Sequence, residues 1–212
     1  MKDESNESEL FGQAAQWRLI SLLLECPSEG WWEQMSLLSD EVEDEELKTA
    51  VASAREGASQ GLYHSILGPG GPAPAREVSY RDWAEPGYLI AELVSYYDAF
   101  SYHPASAEAP DHVSVEAGFI GYLRFKQAYA IACQDAERGE VAAEAARNFI
   151  EEHLSTIAEP LAIALANSGV NYLALASNAL LSRVGRRRNK TRSRALPVLV
   201  DEESGFDCGQ SG

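Results

Sequence analysis

"EAPDHVSVEAGFIGYL", residues 108–123, decides how the chain is read. Pro110 closes a loop, and beyond it Val115, Phe119, Tyr122 and Leu123 recur at steps of three and four. A strand would alternate apolar and polar side chains, and this stretch does not sustain that alternation beyond Phe119. The spacing predicts a helix that begins at Asp111 and runs toward Gly139. Asp111 suits the N-cap, where a carboxylate accepts the free amides of the first turn, and Ser114 and Glu116 suit that turn.

The same periodicity extends outward in both directions. Leu10, Phe11, Ala14, Ala15, Trp17 and the cluster at 19–24 predict a first helix, capped by Ser5 or Asn6 and stopped by "CPSEG" at 26–30. A short helix is expected over 31–38. A third, capped by Asp40, carries Leu47, Val51, Ala54, Ala58, Leu62 and Ile66, with the acids at 43–46 in its first turn. Leu89, Leu93, Tyr96, Tyr97 and Phe100 mark another. After Gly139, helices are expected over 140–154, through Pro160 to Gly169, and over 170–184. No stretch sustains period two, so the fold class is all-α: one helical bundle of about seven to nine helices over 1–184, followed by a tail, 185–212.

One long interruption breaks the pattern. "GPGGPAPAREVSYRDWAEPG", residues 68–87, carries four prolines and reads as a stiff, extended loop between two halves of the bundle. Loops of this length in compact domains are often functional. This one lacks the lysine and the Ser/Thr of a GxxxxGK[ST] phosphate loop and follows no strand.

Composition narrows the function classes. The 212 residues carry a net charge of −16 and are 45% hydrophobic. Seven basic residues and no acids lie between Arg183 and Arg194, whereas everything up to Ser182 sums to −19, from ten bases and twenty-nine acids. So acidic a body repels nucleic acid and favours basic partners. Cys26, Cys133 and Cys208 form no CxxC pair, which argues against a disulfide framework and a structural zinc site. The opening "MKDESNESEL" has no leader-like apolar core, and no apolar run is long enough to span a bilayer. A cytoplasmic protein without stable membrane insertion is expected.

Three features then fall into one known order. "GPGGPAPAREVSYRD" at 68–82 precedes "EAPDHVSVEAGFIGYL". "FIEEHL" at 149–154 follows, and then an alanine-rich final helix pair with "NYLALASNAL". This arrangement, over roughly residues 10–184, resembles the TorD/DmsD/NarJ family of chaperones that mature molybdenum-containing oxidoreductases. In place of the tryptophan that often follows the prolines in that family stands Ala75-Arg76, and Trp83 comes later.

The resemblance implies a helical bundle with no catalytic turnover and no cofactor of its own. Its partner is expected to be the catalytic subunit of a molybdenum oxidoreductase, bound through a twin-arginine leader or N-terminal tail until the molybdopterin is in place. The chaperone itself is expected as a monomer or a domain-swapped dimer. A receptor for arginines followed by an apolar segment needs carboxylates beside an apolar groove. Glu77, Asp111 and Glu116 are the candidate carboxylates; Tyr80, Trp83 and Phe119 are candidate walls or else ordinary core. Pro72, Pro74, Arg76, Pro110 and His112 complete the expected client-binding set.

Two other readings stand beside this one. Asp111, His112 and Glu116, with His103, can be read as ligands in a metal-dependent helical hydrolase, although no second His/Asp cluster completes the site. The tail "GRRRNKTRSRALPVLV", 185–200, reads as a solvated basic segment, as the nucleic-acid-binding run of an adaptor, which the acidic body opposes, or as a copy of the leader layout, arginines first and apolar residues after, that folds onto the acidic groove.

Overall fold

The computed structural model describes residues 2–82 and 85–185, with side chains from residue 7, and contains no named strand among them. Helix α1 spans Lys2–Leu23, α2 Trp31–Glu41, α3 Glu45–Gly57, α4 Gln60–Ile66 and α5 Pro86–Ala99. After the second loop come α6 (Val113–Ala132), α7 (Ala136–Phe149), α8 (Ser155–Ala166) and α9 (Asn171–Val184). A 3-10 turn, Glu77–Tyr80, sits in the proline-rich loop, and a π turn, Ile150–Leu154, joins α7 to α8. The chain is all-α, as its periodicity predicts. Trp83, the Arg-rich segment after Gly185 and Cys208 lie outside the described residues.

Helix α6 is the axis of the bundle. Its first half, residues 113–121, is buried on every side, which explains why that stretch is small or apolar around most of its circumference. Its most extensive partner is α1, and glycine sets how closely the two lie. A Cβ at Gly121 would stand 3.2 Å from the Ala14 carbonyl oxygen and 3.2 Å from the Arg18 amide nitrogen. The cluster Leu19, Ile20, Leu22, Leu23 and Leu24 closes the other side of α1. Burying such a side chain contributes roughly 1.5–3 kcal/mol relative to leaving it in water. α9 packs on α3 and α8 to complete the bundle.

Several helix ends differ from the sequence expectations, among them that of the helix expected over 140–154, which runs Ala136–Phe149 before the π turn. α1 begins at Lys2, so neither Ser5 nor Asn6 caps it. α3 is capped by Asp44, not Asp40: the Asp44 Oδ1 accepts from the amides of Glu46 and Leu47 at 2.9 and 3.1 Å. The stripe from Leu47 to Ile66 is two helices, because the Ser59 hydroxyl accepts the Leu62 amide at 3.2 Å and starts α4 afresh. α6 stops at Ala132, short of Gly139. Gln134 turns the chain at φ 58°, and the Asp135 carboxylate accepts the Arg138 amide at 3.1 Å to start α7.

The proline-rich loop is pinned at both ends. Near α4, the Ala73 amide donates to the Ile66 carbonyl at 3.1 Å. A Cβ at Gly71 would fall 2.4 Å from that same oxygen, so the approach requires glycine there. Further on, the loop pairs with the start of α6 through one isolated antiparallel bridge, Arg76 with His112. Its two hydrogen bonds run from the Val113 amide to the Ala75 carbonyl, 2.9 Å, and from the Glu77 amide to the Asp111 carbonyl, 2.8 Å.

Candidate functional site

Asp111 and His112 exchange the roles their order suggests. Asp111 is not the cap of α6. Its Oδ1 accepts from Arg76 Nε at 2.8 Å and Nη2 at 2.7 Å, and its Oδ2 from the Val78 amide at 3.4 Å. His112 takes the N-cap position, with φ −80° and ψ 134°. Its Nδ1 accepts from the Ser114 amide at 3.2 Å and lies 2.7 Å from the Ser114 hydroxyl. An accepting Nδ1 puts the ring proton on Nε2. Nε2 then donates to the Tyr63 hydroxyl at 2.9 Å, which donates in turn to Glu108 at 2.9 Å. Burial pushes the imidazole pKa down to about 4, with Glu108 and Asp111 pulling the other way. His112 is a neutral, fully engaged cap.

Beneath this junction lies a second polar group. Arg81 donates through Nε to Glu77 Oε1 at 2.6 Å, and its Nη2 pairs with the same oxygen and reaches the Glu152 carbonyl at 2.5 Å. His153 Nδ1 stands 3.1 Å from the other Glu77 oxygen. Glu116 lies beside them, entirely buried, and neither of its oxygens has a hydrogen-bond partner of good geometry. Burial first, then the neighbouring charges of Glu77 and Asp111, raise its pKa well above the ordinary carboxylate range. Glu116 is therefore held as the neutral acid.

The expected client-binding residues gather at this junction, but mostly inside the protein. Glu77, Asp111 and Glu116 are all at 0% exposure, so none of these carboxylates faces solvent, and Arg76 and Arg81 already pair with two of them. Phe119 is core: its ring centroid lies 4.8 Å from Phe149 and 4.9 Å from Tyr97. The Tyr80 hydroxyl donates to the Pro74 carbonyl at 2.7 Å, and Tyr97 donates to the Pro110 carbonyl at 2.8 Å. Pro72 is exposed. The group staples the loop to the bundle.

The Asp111-His112 pair is already committed to partners within the protein. Both ring nitrogens of His112 and both oxygens of Asp111 are engaged within the protein. Glu92, Glu152 and His153 do bring ligand atoms within 4.8 Å of one another. A cation already sits at their edge: Arg81 Nη2 is 3.3 Å from His153 Nδ1. The Glu152 carboxylate meanwhile accepts from Tyr96 at 2.6 Å.

Sequence reasoning missed an open slot on another face. Two adjoining hollows lie between α1, α2 and α6. The larger, about 900 Å³, is lined by Glu9, Phe11, Gln16, Leu38, Glu41 and Glu43, among others. The smaller, about 430 Å³, shares Phe11 and Leu38 and adds Tyr102, Tyr122 and Phe125. Phe125 is half exposed and meets Phe11 edge-on with centroids 5.7 Å apart. Glu9, Glu41 and Glu43 form no ion pair among the described residues. Arg18, which lines the smaller hollow, is turned toward Ser21 at 3.0 Å and Gln34 at 3.2 Å. The result is an apolar floor with an acidic lip. No protein-family model matches the chain, and no curated protein matches it either.

Proposed function

We propose that this protein is a non-catalytic maturation chaperone. Its ligand is the arginine-bearing, partly apolar leader or N-terminal tail of a molybdenum oxidoreductase's catalytic subunit, held until the cofactor is inserted. The observation that carries the reading is the slot between α1, α2 and α6, where Glu9, Glu41 and Glu43, without an ion pair among the described residues, border the half-buried Phe11 and Leu38 and the exposed Phe125. Guanidinium groups take the lip, and the apolar segment takes the floor. The motif order in the loop and in α6 supports the same reading. The buried polar junction contributes rigidity: with Arg76, Arg81 and His112 in place, little ordering remains to be done on binding.

The test is calorimetric titration with a synthetic leader peptide carrying two consecutive arginines and an apolar segment. Saturable binding is expected, weakening as salt rises, and at least tenfold weaker in the Glu41→Lys/Glu43→Lys variant. A peptide that does not bind, or binds equally well with both arginines replaced by glutamine, refutes the reading.

A further inference from the structure

The last described helix delivers the chain to the acidic lip. Near the end of α9, Arg183 donates through Nη2 to Gln16 Oε1 at 2.9 Å and to Asp44 Oδ2 at 2.7 Å. Gln16 lines the larger hollow, and Asp44 follows its Glu43. Gly185 comes two residues later, and beyond it the sequence reads "RRRNKTRSRALPVLV" over 186–200. We infer that this segment binds its own chain's slot, its arginines on the acidic lip and its apolar residues on the Phe11–Leu38 floor, as a placeholder that a client leader displaces. The inference rests on reading the slot as a receptor for basic, partly apolar peptides.

Reach and charge both favour the contact. From Gln16 to Ser8 the lip follows α1 for about 12 Å at ~1.5 Å per residue. An extended chain advances about 3.3 Å per residue, so the nine residues 186–194 have a reach of up to about 30 Å, ample to cover the lip and leave slack for 195–200 to turn back onto the floor. The segment's six cations match in sign three carboxylates that have no cationic partner among the described residues. A covalently linked segment has an effective concentration of about 1 mM. An intrinsic dissociation constant near ~100 μM would therefore keep the slot about nine-tenths filled and weaken a competing leader about tenfold.

The full-length chain with p-benzoylphenylalanine at position 11 tests this. On irradiation, crosslinks to peptides within 186–200 are expected. In a mixture of heavy- and light-isotope protein they should join only like-labelled chains. They should fade in the Arg186→Ser/Arg187→Ser/Arg188→Ser variant and in Glu41→Lys/Glu43→Lys. That triple-serine variant should also bind the twin-arginine leader peptide about tenfold more tightly than the parent. Absent crosslinks, crosslinks indifferent to both variants, or only mixed-label crosslinks overturn the inference. Leader binding without tail crosslinks leaves the chaperone reading standing alone, whereas tail crosslinks without leader binding uphold the contact and remove the chaperone reading.

Discussion

His112 Nε2 and the Tyr63 hydroxyl meet at 2.9 Å, joining the first residue before α6 to the middle of α4. The neighbouring Asp111 points away, into the proline-rich loop, to meet Arg76. Two adjacent polar residues thus fasten two different elements to the start of the central helix. An acid beside a histidine at the head of a helix is here a joint between three elements.

Replacing His112 separates its two tasks. His112→Ala removes the cap of α6 and one partner of Tyr63, and is expected to destabilise by about 2–3 kcal/mol, combining the usual worth of a cap and a buried hydrogen bond. Asparagine is a strong N-cap but too short to reach Tyr63, so His112→Asn should recover roughly half of that loss. Urea unfolding followed by circular dichroism measures both. Equal losses in the two variants would show that capping is not what His112 supplies.

Asp111 is fully buried, whereas the Arg76 side chain is about half exposed, at 46%. Losing the arginine therefore strands a buried carboxylate, and Arg76→Gln is expected to cost about 3 kcal/mol. Asp111→Asn keeps an acceptor for the Val78 amide and should cost less. The double variant Arg76→Gln/Asp111→Asn should cost less than the two single losses added together. Simple additivity in a double-mutant cycle would deny the pair any coupling.

The sequence shows its helices wherever an apolar stripe is uninterrupted and both ends carry local signals, as at α5 and α9. It fails where the stripe stays in phase across a break. Leu62 and Ile66 continue the spacing of Leu47 and Val51, yet Ser59 starts a new helix between them. It fails again where a cap is settled at long range: Asp111 is the better capping residue locally, but Arg76, thirty-five positions away, takes its carboxylate. Burial of Glu77 and Glu116 is likewise a property of packing that spacing does not carry. The slot was hidden because Phe11, Leu38 and Phe125 belong to three helices, and each alone reads as an ordinary member of its stripe.

Two buried groups give stability opposing dependences on pH. His112 has an ordinary pKa of 6.5 and one of about 4 in the fold. Between those values the unfolded chain binds a proton that the native chain does not, so stability falls as pH drops, by about 3 kcal/mol in all. Glu116 is raised from 4.5. Above that pH the native chain keeps a proton the unfolded chain has lost, so stability falls as pH rises. Glu116→Gln removes the second dependence and supplies an amide that can donate to Glu77. The variant should gain on the parent as pH rises above 4.5. A difference that does not change with pH, in urea unfolding across that range, would show that Glu116 is not held protonated.

Gly121 sits where α1 crosses α6 and beside the floor of the slot. Alanine is the better helix former by about 1 kcal/mol, so on propensity alone Gly121→Ala should stabilise α6. The new methyl would meet main-chain atoms of Ala14 and Arg18 at 3.2 Å, and backbone does not rotate aside as a side-chain tip does. At Gly118 the nearest atom is closer still, 2.6 Å, but it is the hydroxyl of Tyr102, at the end of a side chain that can swing. Gly121→Ala should therefore destabilise by about 1–3 kcal/mol despite the propensity gain, and more than Gly118→Ala. Because the displaced helix carries Glu9 and Phe11, leader binding by the still-folded Gly121→Ala protein should weaken as well. Thermal unfolding and peptide titration of the two variants give the answer. If Gly118→Ala proves the more damaging, Tyr102 is held more rigidly than the α1 backbone, and the close crossing does not set the width of the slot.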